Sequence, residues 1–234
     1  IHISNMNQLI LPYQQNIKQT FENYYSNNNL NIQIVEGIKN IFSNKNNQIY
    51  IWGKKFSGKS HLLYSANNYF ASREKKCIYL PMKDYKLFNP DIIDNFCDYD
   101  LICIDDIDCI FGIKDWEYSF FKMINKALEN SKKLIYTSSS SLALNKINLK
   151  DLHSRLSWGL VYRINNPDDH IKEKILNKII NEKEYNISLD VCQYLLNRKD
   201  RDLVSLINII HKVGYHSLST NKKVSIKSLS SIFD

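Results

Sequence analysis

The sequence predicts an α/β protein, in which a three-layer domain built on a parallel sheet is followed by a small all-α domain. Three observations lead to this prediction. From residue 49 onward, short β-branched runs alternate with spacers of helical length, which is the pattern of a parallel sheet wrapped by helices. A glycine-containing loop directly follows the first run. After Pro167 the alternation stops, and the remaining segments are helical in pattern.

Five strands are predicted in the first domain, over residues 49–52, 76–80, 101–104, 133–137 and 161–164. Pro167 then ends the alternation. Four helices are predicted beyond it, over residues 168–184, 188–197, 200–218 and from 225 onward. Ser188 and Ser225 stand at positions suited to N-caps. The boundary between the two domains is therefore predicted at about residue 166.

Composition limits the class of protein. The chain has 234 residues, 44% of them hydrophobic and 24% charged, which is an ordinary globular composition. No run reaches the ~18 apolar residues of a membrane span, and the N-terminus lacks the pattern of a signal peptide. We therefore expect a soluble, cytoplasmic protein with no membrane partner. The five cysteines have no metal-ligand spacing and are expected to be reduced core thiols.

The net charge of +7 raises the question of nucleic-acid binding. The lysines are scattered, however, and the chain has no block of five like charges. Lysine, asparagine, isoleucine and tyrosine are all frequent together, as an AT-rich coding sequence would produce. The excess of lysine is therefore explained by amino-acid usage and does not require a nucleic-acid partner. Direct DNA binding is therefore the weaker interpretation.

A complete phosphate-binding motif follows the first strand. Residues 53–60 are Gly-Lys-Lys-Phe-Ser-Gly-Lys-Ser, a G-x-x-x-x-G-K-S pattern between a strand and a helical run. Glycines let the backbone curve around phosphates, Lys59 would reach the β- and γ-phosphates, and the Ser60 hydroxyl would bind Mg²⁺. The predicted nucleotide-binding residues of this segment are Gly53, Ser57, Gly58, Lys59, Ser60 and His61.

Two carboxylates complete the predicted nucleotide site. The apolar strand over 101–104 ends in Asp105 and Asp106. A carboxylate at a strand end beside a phosphate loop can hold Mg²⁺, and an adjacent acid can orient an attacking water. We assign the metal side to Asp105 and the water side to Asp106. Without the loop upstream, two such residues would indicate a solvated turn.

Several segments carry a family resemblance. The phosphate loop, the Ile-Asp-Asp-Ile of residues 104–107, the Thr-Phe-Glu-Asn-Tyr of residues 20–24 and the Leu-His-Ser-Arg-Leu-Ser-Trp-Gly-Leu of residues 152–160 resemble the AAA+ ATPase domain of the bacterial replication initiator DnaA. The chain stops after the helical lid, without room for a C-terminal DNA-binding domain. It also begins with a peptide typical of the Hda family of DnaA-related regulators, which the whole chain therefore resembles more closely.

That peptide is Gln-Leu-Ile-Leu-Pro-Tyr, residues 8–13. Its proline disfavours helix at the preceding residue, so the peptide is predicted to be extended. The resemblance implies that it binds the DNA polymerase III sliding clamp (β subunit), with apolar anchors and a hydrogen bond at the rim. The alternative is a strand that folds back on its own domain. Tyr13 departs from the family's usual leucine. The predicted clamp-binding residues are Gln8, Leu9, Leu11 and Pro12.

Two departures from the family concern hydrolysis. The family has an acidic residue in the sensor-one turn, where this chain has Ser139, which can bind a water but carries no charge. The sensor-two arginine of the third lid helix is replaced by Val204, with Arg201 on the same helical face. We therefore expect at most weak ATPase activity in this chain, with nucleotide binding intact.

Arg155 lies in the segment that resembles the family's arginine-finger box. The resemblance implies that it acts in trans, by stabilising charge on the ATP of a neighbouring subunit. The alternative is a surface arginine stacked on Trp158, which needs no partner.

Taken as a whole, the resemblance implies a clamp-binding peptide (1–15), an AAA+ domain (16–166) and a helical lid (167–234). The expected ligands are ADP or ATP with Mg²⁺, held by Ser60 and Asp105. The expected partners are the clamp and DnaA, and the expected function is to promote hydrolysis of DnaA-bound ATP and so prevent re-initiation. The alternatives are a helicase-loading ATPase and a short origin-binding protein. Oligomeric state and preference for ADP or ATP stay open.

Overall fold

The five predicted strands are present in the computed structural model, which describes residues 19–24, 29–197 and 202–233. The predicted clamp-binding residues Gln8, Leu9, Leu11 and Pro12 lie outside the described residues, as does Arg201. Within the described part, the strands form one parallel sheet in the order β2-β3-β4-β1-β5. Their bounds are Gln48–Trp52 (β1), Cys77–Pro81 (β2), Leu101–Asp105 (β3), Lys133–Ser138 (β4) and Leu160–Arg163 (β5).

Successive residues of the central strands pack on opposite faces of the sheet. In β1, Ile49 and Ile51 lie in one apolar cluster and Tyr50 lies in the other. Every residue of β3 and β4 is buried, as expected for a parallel sheet that is covered on both sides. The predicted three-layer architecture is confirmed.

Helices cover both faces of this sheet. One face packs against α1 (Asn29–Lys39) and α2 (Lys59–Ala71), through residues that include Ile34 and Leu62. The other face packs against α3 (Lys114–Glu129) and α4 (Lys150–Leu156), through residues that include Phe120 and Leu152.

The spacer between β2 and β3 departs from a simple helical crossover. It consists of two 3₁₀ helices, Met82–Leu87 and Pro90–Asp98. Asn89 caps the second one, and its side chain accepts a hydrogen bond of 3.0 Å from the Asp91 N–H. Pro90 at the first helical position cannot donate to an upstream carbonyl, so the helix starts afresh there. The spacer is therefore two short helices and not one continuous helix.

The predicted all-α domain is present after β5. Within the described residues its helices are α5 (Asp169–Glu182), α6 (Leu189–Leu196), α7 (Leu203–Thr220) and α8 (Ile226–Phe233). They share an apolar core of their own. Ser188 occupies the N-cap position of α6 but makes no capping hydrogen bond, whereas Asp168 and Asp202 cap α5 and α7 through their side chains. No helix of the described part is both long and apolar enough to cross a bilayer.

Candidate functional site: a nucleotide cleft between sheet and lid

The phosphate loop joins the carboxyl end of β1 to α2. The Gly53 N–H donates a hydrogen bond of 3.1 Å to the Ser138 carbonyl, which fixes the start of the loop on β4. A Cβ atom at Gly53 would lie 2.5 Å from the Ile164 carbonyl oxygen. Gly58 has φ +95° and faces the Tyr24 ring, which a Cβ atom would approach to 3.0 Å. Both positions therefore require glycine, one for space and one for backbone conformation.

Lys59 is buried at the start of α2. Its Nζ donates hydrogen bonds to the carbonyl oxygens of Gly53 at 2.8 Å and Lys54 at 3.0 Å. Burial lowers the pKa of Lys59, while the nearby carboxylates, Asp106 first, act in the opposite direction. The loop thus holds a buried cation at a helix N-terminus, where anions are favoured.

These residues fit a phosphate group. The Ser57 hydroxyl is buried and has no hydrogen-bond partner among the described residues. The cradle leaves no room for side chains at Gly53 and Gly58. Phosphate oxygens would accept hydrogen bonds from Ser57, the loop N–H groups and Lys59.

Asp105 ends β3 as a buried carboxylate. It accepts a hydrogen bond of 2.6 Å from the Tyr79 hydroxyl and another from the Thr137 hydroxyl. Among the described residues, no group of three or more His, Cys, Asp and Glu side chains could hold a metal ion. A Mg²⁺ ion bound by Ser60 and Asp105 would therefore complete its ligands with phosphate oxygens and water.

Asp106 follows β3 in a left-handed conformation, with φ +51°. Its N–H donates a hydrogen bond of 2.9 Å to the Thr137 hydroxyl, which holds the backbone in place. Its carboxylate forms an ion pair of 2.6 Å with the ammonium group of Lys83. Sequence reasoning missed Lys83, because its position depends on the pairing of Pro81 with Asp105 across β2 and β3.

A third carboxylate, which the sequence analysis did not single out, reaches the sensor-one turn. Ser139 donates hydrogen bonds to Asp108 from its backbone N–H, at 3.2 Å, and from its hydroxyl. The turn has no acidic residue of its own, yet Asp108 places a negative charge against it. The signal in the sequence is a third aspartate close behind Asp105 and Asp106.

A cavity of about 500 Å³ opens beside the loop, between the sheet domain and the lid. This is within the size range of small-molecule and cofactor sites. The N-terminal segment forms one wall, and the Thr20 carbonyl lies 3.0 Å from Nε2 of His61. Burial lowers the pKa of His61. Lining residues include Gln19, Tyr24, Phe56, Gly58, His61, Asn165, Ile171, Ile207 and His211.

The lid lines this cavity with both apolar and charged residues. Leu203 and Ile207 of α7 line it, whereas Val204, the residue at the sensor-two position, is 43% exposed. No arginine occurs in α7. Lys178 of α5 and Lys183, which follows the last residue of α5, also line the cavity. Lys178 donates a hydrogen bond of 2.5 Å to the Asn23 side chain.

Arg155 lies near the amino ends of the strands, whereas the phosphate loop lies at their carboxyl ends. Its carbonyl accepts a hydrogen bond of 3.3 Å from the Gln48 side chain, at the start of β1. The phosphate loop follows the far end of β1, and five strand residues span about 16 Å. The Arg155 guanidinium lies 4.2 Å from the ring centroid of Trp158, which is 63% exposed. The stacking of the alternative interpretation is therefore present, and Arg155 lies away from its own loop.

Comparisons with known proteins agree with this architecture. A family model of the bacterial DnaA ATPase domain matches residues 15–163, and a model of the Hda lid domain matches residues 169–227. An uncharacterized protein of Haemophilus influenzae is 30% identical over 229 residues, which are 97% of this chain and 98% of that protein.

Solved structures show the same fold. Domain III of Thermotoga maritima DnaA superposes with a TM-score of 0.79 at 21% identity, over 92% of this chain and 95% of that one. AMPPCP-bound DnaA from Aquifex aeolicus gives 0.72 at 23% identity, over 94% and 71% of the two chains. The chain belongs to the bacterial DnaA ATPase-domain family, in which its lid marks it as an Hda-like, DnaA-related AAA+ protein.

Proposed function

We propose that this chain is a nucleotide-binding regulator of replication initiation, which links the DNA-loaded sliding clamp to DnaA and stimulates hydrolysis of DnaA-bound ATP. The family assignment supports the link to DnaA, because the lid is of the Hda type. Stimulating hydrolysis on DnaA would switch initiation off after each round of replication.

The nucleotide belongs in the cleft between the phosphate loop and the lid. Its phosphates would bind the loop, with Mg²⁺ at Ser60 and Asp105, and its nucleoside would occupy the cavity of about 500 Å³. An adenine nucleotide is supported by a related structure, since DnaA from Aquifex aeolicus binds AMPPCP. Because the cavity contacts both domains, bound ADP or ATP would fix the lid relative to the sheet.

The placement of Arg155 is the observation that carries the trans-acting role. This residue lies near the amino ends of the strands, beside an exposed tryptophan, while the loop lies at their carboxyl ends. From there it would act on the nucleotide of another molecule and not on its own. Arginine fingers that act in this way contribute roughly 10³–10⁵ in rate.

Clamp binding is assigned to the peptide at residues 8–13. Its position in the chain supports the proposal, because it precedes a segment that is anchored next to the nucleotide cleft. The Gln19 carbonyl accepts a hydrogen bond of 2.9 Å from Asn68 of α2, and the Thr20 carbonyl contacts His61 of the same helix. The chain that follows the peptide is therefore held against α2 from Gln19 onward.

The test is conversion of labelled ATP to ADP on DnaA, with and without this chain and with and without DNA-loaded clamp. The proposal predicts faster conversion only when the chain and the clamp are both present. Unchanged conversion would contradict it. Rapid hydrolysis by this chain alone, stimulated by single-stranded DNA, would instead favour a helicase-loading ATPase.

A further inference from the structure

The register of the sheet brings a lysine onto the predicted water-orienting acid. Pro81 at the end of β2 pairs with Asp105 at the end of β3. Lys83 and Asp106 therefore emerge side by side at the carboxyl edge of the sheet. The Lys83 ammonium lies 2.6 Å from Oδ2 of Asp106. The two belong to different connections, so only the folded sheet brings them together.

The two partners differ in freedom. The Asp106 side chain is 13% exposed, and its backbone is held by the hydrogen bond to Thr137. The Lys83 side chain is 62% exposed, near the start of the first 3₁₀ helix. Only the lysine end of this ion pair is open to solvent. Lys83 can therefore move away into water, whereas Asp106 stays beside the site.

The water-orienting role predicted for Asp106 requires the carboxylate that this lysine contacts. Water attacks the γ-phosphorus, the bond from that phosphorus to the β,γ-bridging oxygen breaks, and the products are ADP, inorganic phosphate and a proton. A neighbouring carboxylate helps by accepting a hydrogen bond from the water and so orienting it. When the Lys83 ammonium group is bound to Asp106, one carboxylate oxygen of Asp106 is engaged and the negative charge of Asp106 is offset.

We propose that Lys83 is a positioning residue that restrains Asp106 and so keeps this chain's own hydrolysis of ATP slow. The inference rests on the nucleotide-binding role proposed above and goes beyond it, because it adds one removable contact to the two sensor departures as a cause of slow hydrolysis. Of the parts for hydrolysis, the site has a phosphate loop, the carboxylates Asp105 and Asp106, and a serine at the sensor-one turn next to Asp108, while α7 has no arginine.

The test compares ATP turnover by the full chain with that of Lys83→Met, Lys83→Arg and Lys86→Met. Lys83→Met should raise kcat by about fivefold, which corresponds to about 1 kcal/mol in the activation free energy. Lys83→Arg keeps the ion pair and should resemble the unaltered chain. Lys86→Met is the matched control, because Lys86 is an exposed lysine of the same 3₁₀ helix that pairs with the Tyr85 ring.

The double variant Lys83→Met with Asp106→Asn separates this role from a general effect on the fold. If Lys83 acts through Asp106, the gain in kcat disappears in the double variant. A gain that persists there, or a Lys83→Met variant that is no faster or is slower than the unaltered chain, overturns the inference. A slower Lys83→Met variant is the result expected if Lys83 contacts the phosphates instead.

Calorimetric titration with ATP separates this inference from the proposed function. Intact ATP binding with an unchanged kcat in Lys83→Met overturns the restraint alone. Failure of the unaltered chain to bind ATP overturns both.

Discussion

Lys59 is the residue on which phosphate binding should depend. Its ammonium group donates hydrogen bonds to two loop carbonyls, and burial lowers its pKa. Keeping Lys59 charged inside the protein therefore costs free energy. A phosphate in the loop would offset that cost through charge-assisted hydrogen bonds, which are worth about 1.5–3 kcal/mol.

Lys59→Ala should therefore lower ADP affinity by roughly 10- to 100-fold in calorimetry. The fold should persist, because the substitution removes a charge whose burial is unfavourable. Lys54→Ala is the matched control, since Lys54 is exposed in the same loop and contributes its carbonyl only. Equal ADP affinity in Lys59→Ala and the unaltered chain would contradict the assignment of the loop.

For individual residues, the sequence predicts contacts within one segment and misses those between segments. The loop glycines and Lys59 follow from spacing alone, because their roles are local. The pairing of Lys83 with Asp106 and of Ser139 with Asp108 depends on how β2, β3 and β4 align. Nothing in the spacing of these residues specifies that alignment.

At the scale of elements, two lid helices, α5 and α7, have side-chain caps that were not predicted. The Asp202 carboxylate accepts a hydrogen bond of 2.9 Å from the Ser205 N–H at the start of α7. Hydrogen bonds from Ser205, from its side chain first and then its backbone, lower the pKa of Asp202. A carboxylate with a lowered pKa stabilises the folded state at neutral pH, and the contribution is lost as the pH falls through its folded pKa.

Asp202→Ala should lower the free energy of unfolding by about 1 kcal/mol at neutral pH, the usual effect of removing an N-cap. The difference should shrink at acidic pH, as the carboxylate of the unaltered chain becomes protonated. Asp202→Asn retains a capping oxygen and should keep most of the stability without the pH dependence. Urea denaturation at both pH values measures this, and equal stability of Asp202→Ala and the unaltered chain would show that the cap is not needed.

The predicted strands agree with the observed ones to within about a residue, because β-branched runs bounded by polar residues mark where a strand begins and ends. The two 3₁₀ helices between β2 and β3 were not predicted in detail. Their form follows from Asn89 and Pro90, which restart the helix in mid-spacer. Such local interruptions are weakly marked in a hydrophobicity pattern.

At the scale of the whole molecule, the account assigns clamp binding and nucleotide binding to separate parts. Simultaneous replacement of Gln8, Leu9 and Leu11 by alanine removes a hydrogen bond and two apolar anchors. Each buried leucine is worth roughly 1.5–3 kcal/mol, so a micromolar contact with the clamp should be lost. ADP affinity should be unchanged.

Co-elution with purified clamp measures this, and calorimetry with ADP serves as the control. If the triple variant still co-elutes with the clamp, the peptide is not the binding element. Loss of ADP affinity in that variant would instead show that the peptide packs against its own domain.

The central claim is that Arg155 acts on the ATP of another molecule. Its most direct test is the clamp-dependent conversion of labelled ATP to ADP on DnaA, measured for Arg155→Ala. The matched control is Arg73→Ala, because Arg73 is an exposed arginine whose guanidinium lies 3.5 Å from the Tyr69 ring centroid. The account predicts that Arg155→Ala loses the stimulation while retaining ADP and clamp binding, and that Arg73→Ala keeps it. Full conversion by Arg155→Ala would contradict the account and leave Arg155 as a surface arginine stacked on Trp158.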